Sequence, residues 1–194
     1  DGKVTADSKE DAGVFSYDST EEGINDTDKP VLMNIAGSID DAENLAREND
    51  ERKVYLTFDD GPSDNTAAIL DTLSAYNVKA TFFVVGKTDD QSKAMYQRIV
   101  NEGHTLGMHS YSHKYSVIYD SLDAFETDFN QIQSYLYEVT GRECKLYRFP
   151  GGSSNQVSNT DMTEFIKFLN EEHVTYFDWN VSSGDATSQA YTAD

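Results

Sequence analysis

Two short segments carry the residues best suited to chemistry. Asp59 and Asp60 are adjacent carboxylates, followed by Gly61 and Pro62. His109 and His113 are two imidazoles four residues apart. Three of these four side chains can ligate a divalent cation, which leaves one carboxylate spare. A cation with three protein ligands keeps an open position, and a base beside that position makes a hydrolytic site. Neighbouring side chains on an extended chain point opposite ways. Both carboxylates therefore reach one place only if the backbone turns, and Gly61-Pro62 is expected to supply the turn. The histidines share a face if their segment is helical, and neutral imidazole suits zinc and similar ions. Taken singly, the acids read as a polar turn and the histidines as surface residues. The hydrolytic reading rests on their occurring together.

Further residues belong to the same reading. The planar fork of Arg148 can hold a carboxylate ionised and oriented; a surface arginine is the plainer alternative. Gly151 and Gly152 let the backbone approach a ligand closely, so an amide N–H there can face a developing oxyanion. Asp178 can supply an orienting carboxylate, and Trp179 either a hydrophobic wall or a piece of core. His104 sits inside an apolar run and His173 follows two glutamates, so both read as structural or surface residues. The single cysteine, Cys144, has no motif around it and reads as structural.

The elements that must position these groups follow from apolar spacing. Val54 to Phe58 reads as a strand stopped by Asp-Asp-Gly-Pro. Ser63 or Asp64 can cap a helix bearing Ala67, Ala68, Ile69, Leu70 and Leu73. Ala80 to Gly86 is apolar enough for a strand buried on both faces. A helix follows from Asp89 to Asn101, then a short strand from His104 to Gly107. Ser121 to Val139 is the strongest helix: Leu122, Phe125, Phe129, Ile132, Leu136 and Val139 keep the 3–4 spacing, Ser121 caps it and Gly141 ends it. Leu146 to Phe149 is a strand, Asp161 to Asn170 a helix and Val174 to Trp179 a strand. Alternating strands and helices imply a parallel sheet with crossover connections, in which ligands collect at the carboxyl ends of strands. The acid pair, Arg148 with its Pro-Gly-Gly, and Asp178 all fall there.

Composition narrows the partners. Residues 1–52 hold 15 acids and 5 bases with few clustered apolar residues, and read as an acidic, largely flexible N-terminal segment. Within it, Val31 to Ala36 can form a short strand and Ile39 to Glu51 a marginal helix. Residues 53–194 read as the folded domain. The formal charge of −20 argues against nucleic acid and against an anionic membrane surface, and leaves a neutral or N-acetylated sugar polymer open. There is no run of 18 apolar residues.

In order along the chain, Thr57-Phe58-Asp59-Asp60-Gly61-Pro62, His109-Ser110-Tyr111-Ser112-His113, Arg148-Phe149-Pro150-Gly151-Gly152 and Asp178-Trp179 resemble the polysaccharide deacetylases of the NodB-homology type, a carbohydrate esterase family. The resemblance covers residues 53–180. It implies a distorted (β/α) barrel and metal-dependent removal of acetyl groups from polymeric sugars. N-acetylglucosamine of bacterial peptidoglycan is the first substrate, and O-acetylated xylan or non-catalytic sugar binding are the alternatives. It further implies a secreted or cell-surface protein of the bacterial envelope. By the same resemblance Asp59 is the general base, and Asp60, His109 and His113 hold the metal, zinc first with cobalt or nickel as alternatives. Arg148 orients Asp59, and the Gly151 N–H is the oxyanion donor. Asp178 tunes a catalytic histidine, and Trp179 lines the substrate groove. The family's Leu-x-His, which carries its general acid, has no counterpart after Asp178. With four or five strand candidates, the barrel is expected to be incomplete at its C-terminus. A partner chain or a missing C-terminal segment is expected to complete it.

Overall fold

The computed structural model describes residues 53–184. Contacts divide the chain at Val54/Tyr55, and the sheet and helices all belong to the second unit, Tyr55–Asp194. The expectations for residues 1–52, including the short strand and the marginal helix, lie outside the described residues.

Five strands form one parallel sheet: β1 Thr57–Gly61, β2 Thr81–Val85, β3 Thr105–Ser110, β4 Leu146–Tyr147 and β5 Thr175–Tyr176. Their spatial order is their chain order. Each crossover thus steps one place in the same direction, and right-handed crossovers put the connecting helices on one face. This singly wound order is the one a (β/α) barrel requires; a doubly wound sheet would reverse at a switch point. The helices are α1 Thr66–Ala75, α2 Asp90–Asn101, the one-turn α3 Tyr115–Ile118, α4 Leu122–Thr140 and α5 Met162–Glu171.

Alternation along the strands sorts side chains between two faces. Phe58, Phe82, Val84, Leu106, Met108, Tyr147 and Phe149 join the helix-side core. Phe125 of α4 lies at its centre, with ring contacts to Tyr147, Phe149, Phe165 and Phe168. Such pairs add about 0.5–1.5 kcal/mol each beyond area burial. The intervening residues Thr57, Asp59, Phe83, Gly107, His109, Leu146 and Arg148 take the other face, where the site lies. β2 is buried along its whole length, as its unbroken apolar run predicts.

Several boundaries differ from the sequence reading. β1 runs through the acid pair instead of stopping before it, because its ladder follows Thr81–Val84 of β2 across a register shift between Asp59 and Gly61. β3 extends to Ser110 and so carries His109. Helix α1 starts at Thr66, and its cap position, Asn65, makes no side-chain cap bond. Asp89, Ser121 and Asp161 do cap their helices, and Gly141 closes α4 with φ 68°. Cys144 is buried, which pushes its thiol up to about 12.

His104 is a core residue. Its Nδ1 accepts the Ala80 N–H at 3.2 Å, its ring meets Phe82 edge-on, and Nε2 stands 3.8 Å from the Glu102 carboxylate. Burial holds its pKa below the ordinary value, with Lys79 pushing the same way and Glu102 opposing. The unfolded chain therefore takes up this proton first as pH falls. The contribution of His104 to stability is intact above about pH 6.5 and declines as pH drops through the folded value. Thermal unfolding followed from pH 7.5 to 5 should show a shallower decline for His104→Asn, whose amide oxygen can still accept the Ala80 N–H. Equal slopes in the two proteins would refute this account.

Candidate functional site

Asp59 follows the strand alternation onto the inner face, but Asp60 does not. Asp60 has φ 65°, a left-handed conformation that non-glycine residues rarely adopt and that asparagine and aspartate tolerate best. Together with the register shift at this point, it swings the second carboxylate to the same side as the first. The turn thus occurs at Asp60 itself, not only at Gly61-Pro62 as the sequence suggests. Lys87 Nζ donates to the Pro62 carbonyl and pins the far end of the turn.

His109 and His113 do not share a helix. His109 lies near the end of β3, and the chain then reverses through Tyr111 and Ser112 to His113, at φ 51°. The two rings lie 5.3 Å apart, centroid to centroid. Asp60 Oδ1 stands 3.2 Å from His109 Nε2 and 3.1 Å from His113 Nε2. In a tetrahedral zinc site with bonds of about 2.0–2.1 Å, neighbouring ligand atoms are about 3.3 Å apart. These spacings fit. The protonation pattern fits as well. His109 Nδ1 donates to the Arg148 carbonyl at 2.6 Å. With Nδ1 donating there, Nε2 is the atom left facing the Asp60 oxygen, and either a proton on Nε2 or a cation between the two atoms satisfies both. Hydrogen bonds to His109 and His113 hold the Asp60 carboxyl well below the usual carboxylate range, and the bond to Asp60 raises His113. The Asp60, His109, His113 group is a potential metal site.

Arg148 is buried beside this cluster. Its Nη1 donates to Asp59 Oδ1 at 2.9 Å and to Thr57 Oγ1 at 2.7 Å. Nε donates to the Phe177 carbonyl at 3.0 Å and Nη2 to the Asp178 carbonyl at 3.1 Å. The guanidinium lies 4.2 Å from the centre of the Phe83 ring. It is a fixed partner for Asp59, not a surface arginine.

Gly151 has φ 81°, and a Cβ there would come within 3.1 Å of Tyr115, whose ring stands edge-on to His113. Its N–H donates to no acceptor among the described residues. Tyr119 Oη donates to the Pro150 carbonyl at 2.8 Å and steadies the turn. The Asp178 carboxylate accepts the Ser153 N–H at 3.0 Å and the Ser153 hydroxyl. Among the described residues these bonds come from Ser153 and none from a histidine. Trp179 is half exposed, 5.7 Å from the Arg148 guanidinium carbon and close to Gly152. All eight candidate residues thus fall in one chain of contacts; His104 and Cys144 lie apart in the core, and His173 just beyond α5.

Four residues of this region escaped the sequence reading. Thr57 is two places before Asp59 and must share its face, which is a readable signal. Asp128 interrupts the apolar stripe of α4 between Phe125 and Ile132, which is another. Lys87 and Ser153 carry no local pattern.

The polysaccharide deacetylase family model matches residues 46–177. The chain belongs to that family. This deacetylase-family chain is 45% identical to the catalytic domain of a peptidoglycan N-acetylglucosamine deacetylase from Eubacterium rectale. The two folds agree with a TM-score of 0.67 over 71% of this chain and 64% of that one. It is 34% identical over 136 residues to a peptidoglycan-N-acetylglucosamine deacetylase of Bacillus cereus, across 70% of this chain and 48% of that protein. A bifunctional xylanase/deacetylase of Pseudobutyrivibrio xylanivorans is 33% identical over 158 residues, across 78% of this chain and 26% of that one. The chain spans about half the length or less of these curated relatives.

Gly86 couples two parts of the site. Its N–H donates to the carbonyls of Ser110 and Tyr111, and a Cβ there would lie 2.4–2.8 Å from the Tyr111 ring. Gly86→Ala should cost about 1–3 kcal/mol by overpacking, read as a lower urea midpoint. A midpoint equal to wild type would show that the Tyr111 ring yields freely.

Proposed function

We propose that this domain hydrolyses N-acetyl groups from N-acetylglucosamine in a polysaccharide, with bacterial peptidoglycan as the first candidate and the cell envelope as the place of action. The observation that carries the reading is the convergence of Asp60, His109 and His113 within 3.1–3.2 Å contacts. Beside them is a second carboxylate, Asp59, locked by a buried arginine. The names of the relatives supply the substrate class.

Asp60, His109 and His113 would hold a divalent cation, zinc first, with cobalt and nickel as alternatives. When bound, such an ion supplies a Lewis acid that makes water acidic near neutral pH and polarises a carbonyl oxygen. The protein's own groups do the rest. Asp59, held in place by the Arg148 guanidinium, accepts a proton from the attacking water. The Gly151 N–H donates to the acetyl oxygen as it takes up negative charge, a contribution of a few kcal/mol for one such donor. The carbon–nitrogen bond then breaks, acetate leaves, and the amine takes a proton from a donor outside this set. The exposed face of Trp179 offers a sugar an apolar platform, and Ser153 with Asp178 fixes the turn that places Gly151 and Gly152.

O-deacetylation of xylan is the second reading, favoured by the similarity to the bifunctional xylanase/deacetylase. Acetate release from N-acetylglucosamine oligomers and from acetylxylan, each with added zinc, distinguishes the two. Oligosaccharide binding with no acetate from either would indicate a non-catalytic sugar-binding relative. Asp59→Asn should lower turnover by about 10²–10⁴-fold while one zinc per chain remains bound. Wild-type turnover in that variant would remove Asp59 from the role of base.

A further inference from the structure

Asp128 is a buried carboxylate in the middle of α4. Its Oδ2 accepts the Ser110 hydroxyl and the Tyr111 N–H, each at 2.7 Å, and its Oδ1 accepts the Ser112 N–H at 2.9 Å. The Ser110 hydroxyl oxygen in turn accepts the His113 N–H at 2.9 Å. Three donors on one carboxylate thus come from consecutive residues of the turn between His109 and His113, and a fourth bond relays the grip to His113. A buried carboxylate is costly unless fully hydrogen-bonded, and its neighbours on the stripe, Phe125 and Ile132, are apolar. The interaction therefore has an effect that core packing does not need.

We propose that Asp128 is a positioning residue for the cation site: it fixes the backbone from Ser110 to His113 so that the His113 imidazole faces Asp60 and His109. This inference rests on the reading of Asp60, His109 and His113 as cation ligands. His113 is held at φ 51°, away from the common basins, an angle that histidine tolerates better than most non-glycine residues but that still needs outside support. The bonds to Asp128 and Ser110 hold the turn in that shape. Asp128 touches neither the ligand atoms nor any reacting group, and its hydrogen bonds reach them through the loop.

The test compares wild type, Asp128→Asn and Ser110→Ala in the full 194-residue chain. Zinc affinity is measured by competition with a chromophoric chelator at a temperature where near-ultraviolet circular dichroism shows each protein folded. Asparagine keeps the size of the side chain but turns an amide nitrogen toward donors that need an acceptor. The zinc dissociation constant should rise about 10- to 100-fold in Asp128→Asn, and by a smaller factor in Ser110→Ala. A folded Asp128→Asn protein that binds zinc within twofold of wild type overturns the proposal. If Asp128→Asn does not fold, Ser110→Ala decides, and an unchanged dissociation constant there overturns it equally. Wild type that takes up no zinc removes both this inference and the proposed function. Wild type that binds, with variants that bind equally well, removes this inference alone.

Discussion

A guanidinium buried on the inner face of the sheet sets the terms for everything around it. A charge out of water must find all its partners within the fold. Arg148 finds them in Thr57 and Asp59 of β1 and in the carbonyls of Phe177 and Asp178 after β5, with the Phe83 ring of β2 beneath it. Its own carbonyl receives the His109 Nδ1 proton. One residue thus holds the carboxylate with its side chain and a histidine with its main chain. The two chemical roles of the site, proton acceptor and cation ligand, cannot shift independently.

That arrangement requires a sheet whose inner face is open enough for a guanidinium. Gly107 provides the room: a Cβ there would lie 2.7 Å from the Phe83 ring on which Arg148 rests. On the opposite face the same strands present Phe82, Leu106, Met108 and Tyr147 to the helices. Parallel pairing in unbroken order keeps all the inward positions on one surface. The period-2 alternation of single strands thereby becomes a two-dimensional site, in which Arg148 and Thr57 bond directly across 91 positions of sequence.

Much of this was legible in the letters. The apolar run of β2 announced a strand buried on both faces, and the stripe of α4 with Ser121 and Gly141 gave that helix within a residue at each end. The motifs named the residues that converge. Legibility failed where backbone geometry departs from a regular period. Asp60 reaches the site through a left-handed angle inside a strand, and His113 through a turn that imitates the reach of a helix without being one. Neither angle is encoded by a glycine. The turns around them are tied from a distance, by Lys87 at the Pro62 carbonyl and by Asp128 at the Ser112 N–H. Local propensity is silent about such long-range grips, although the acid in the apolar stripe of α4 was a visible anomaly. Ser153 and its bond to Asp178 left no trace at all, because a serine after two glycines is ordinary loop composition.

The torsion at Asp60 also narrows the chemistry available to evolution. An unbranched side chain ending in oxygen tolerates that backbone angle, whereas a β-branched one is strained there. Glutamate, the longer carboxylate, would carry its oxygen past the 3.1–3.2 Å contacts that Asp60 makes with the two imidazoles. The oxygen member of the triad therefore depends on a backbone angle as well as on any preference of the ion. Selectivity among borderline and hard cations at this position is in part a property of one peptide unit's geometry.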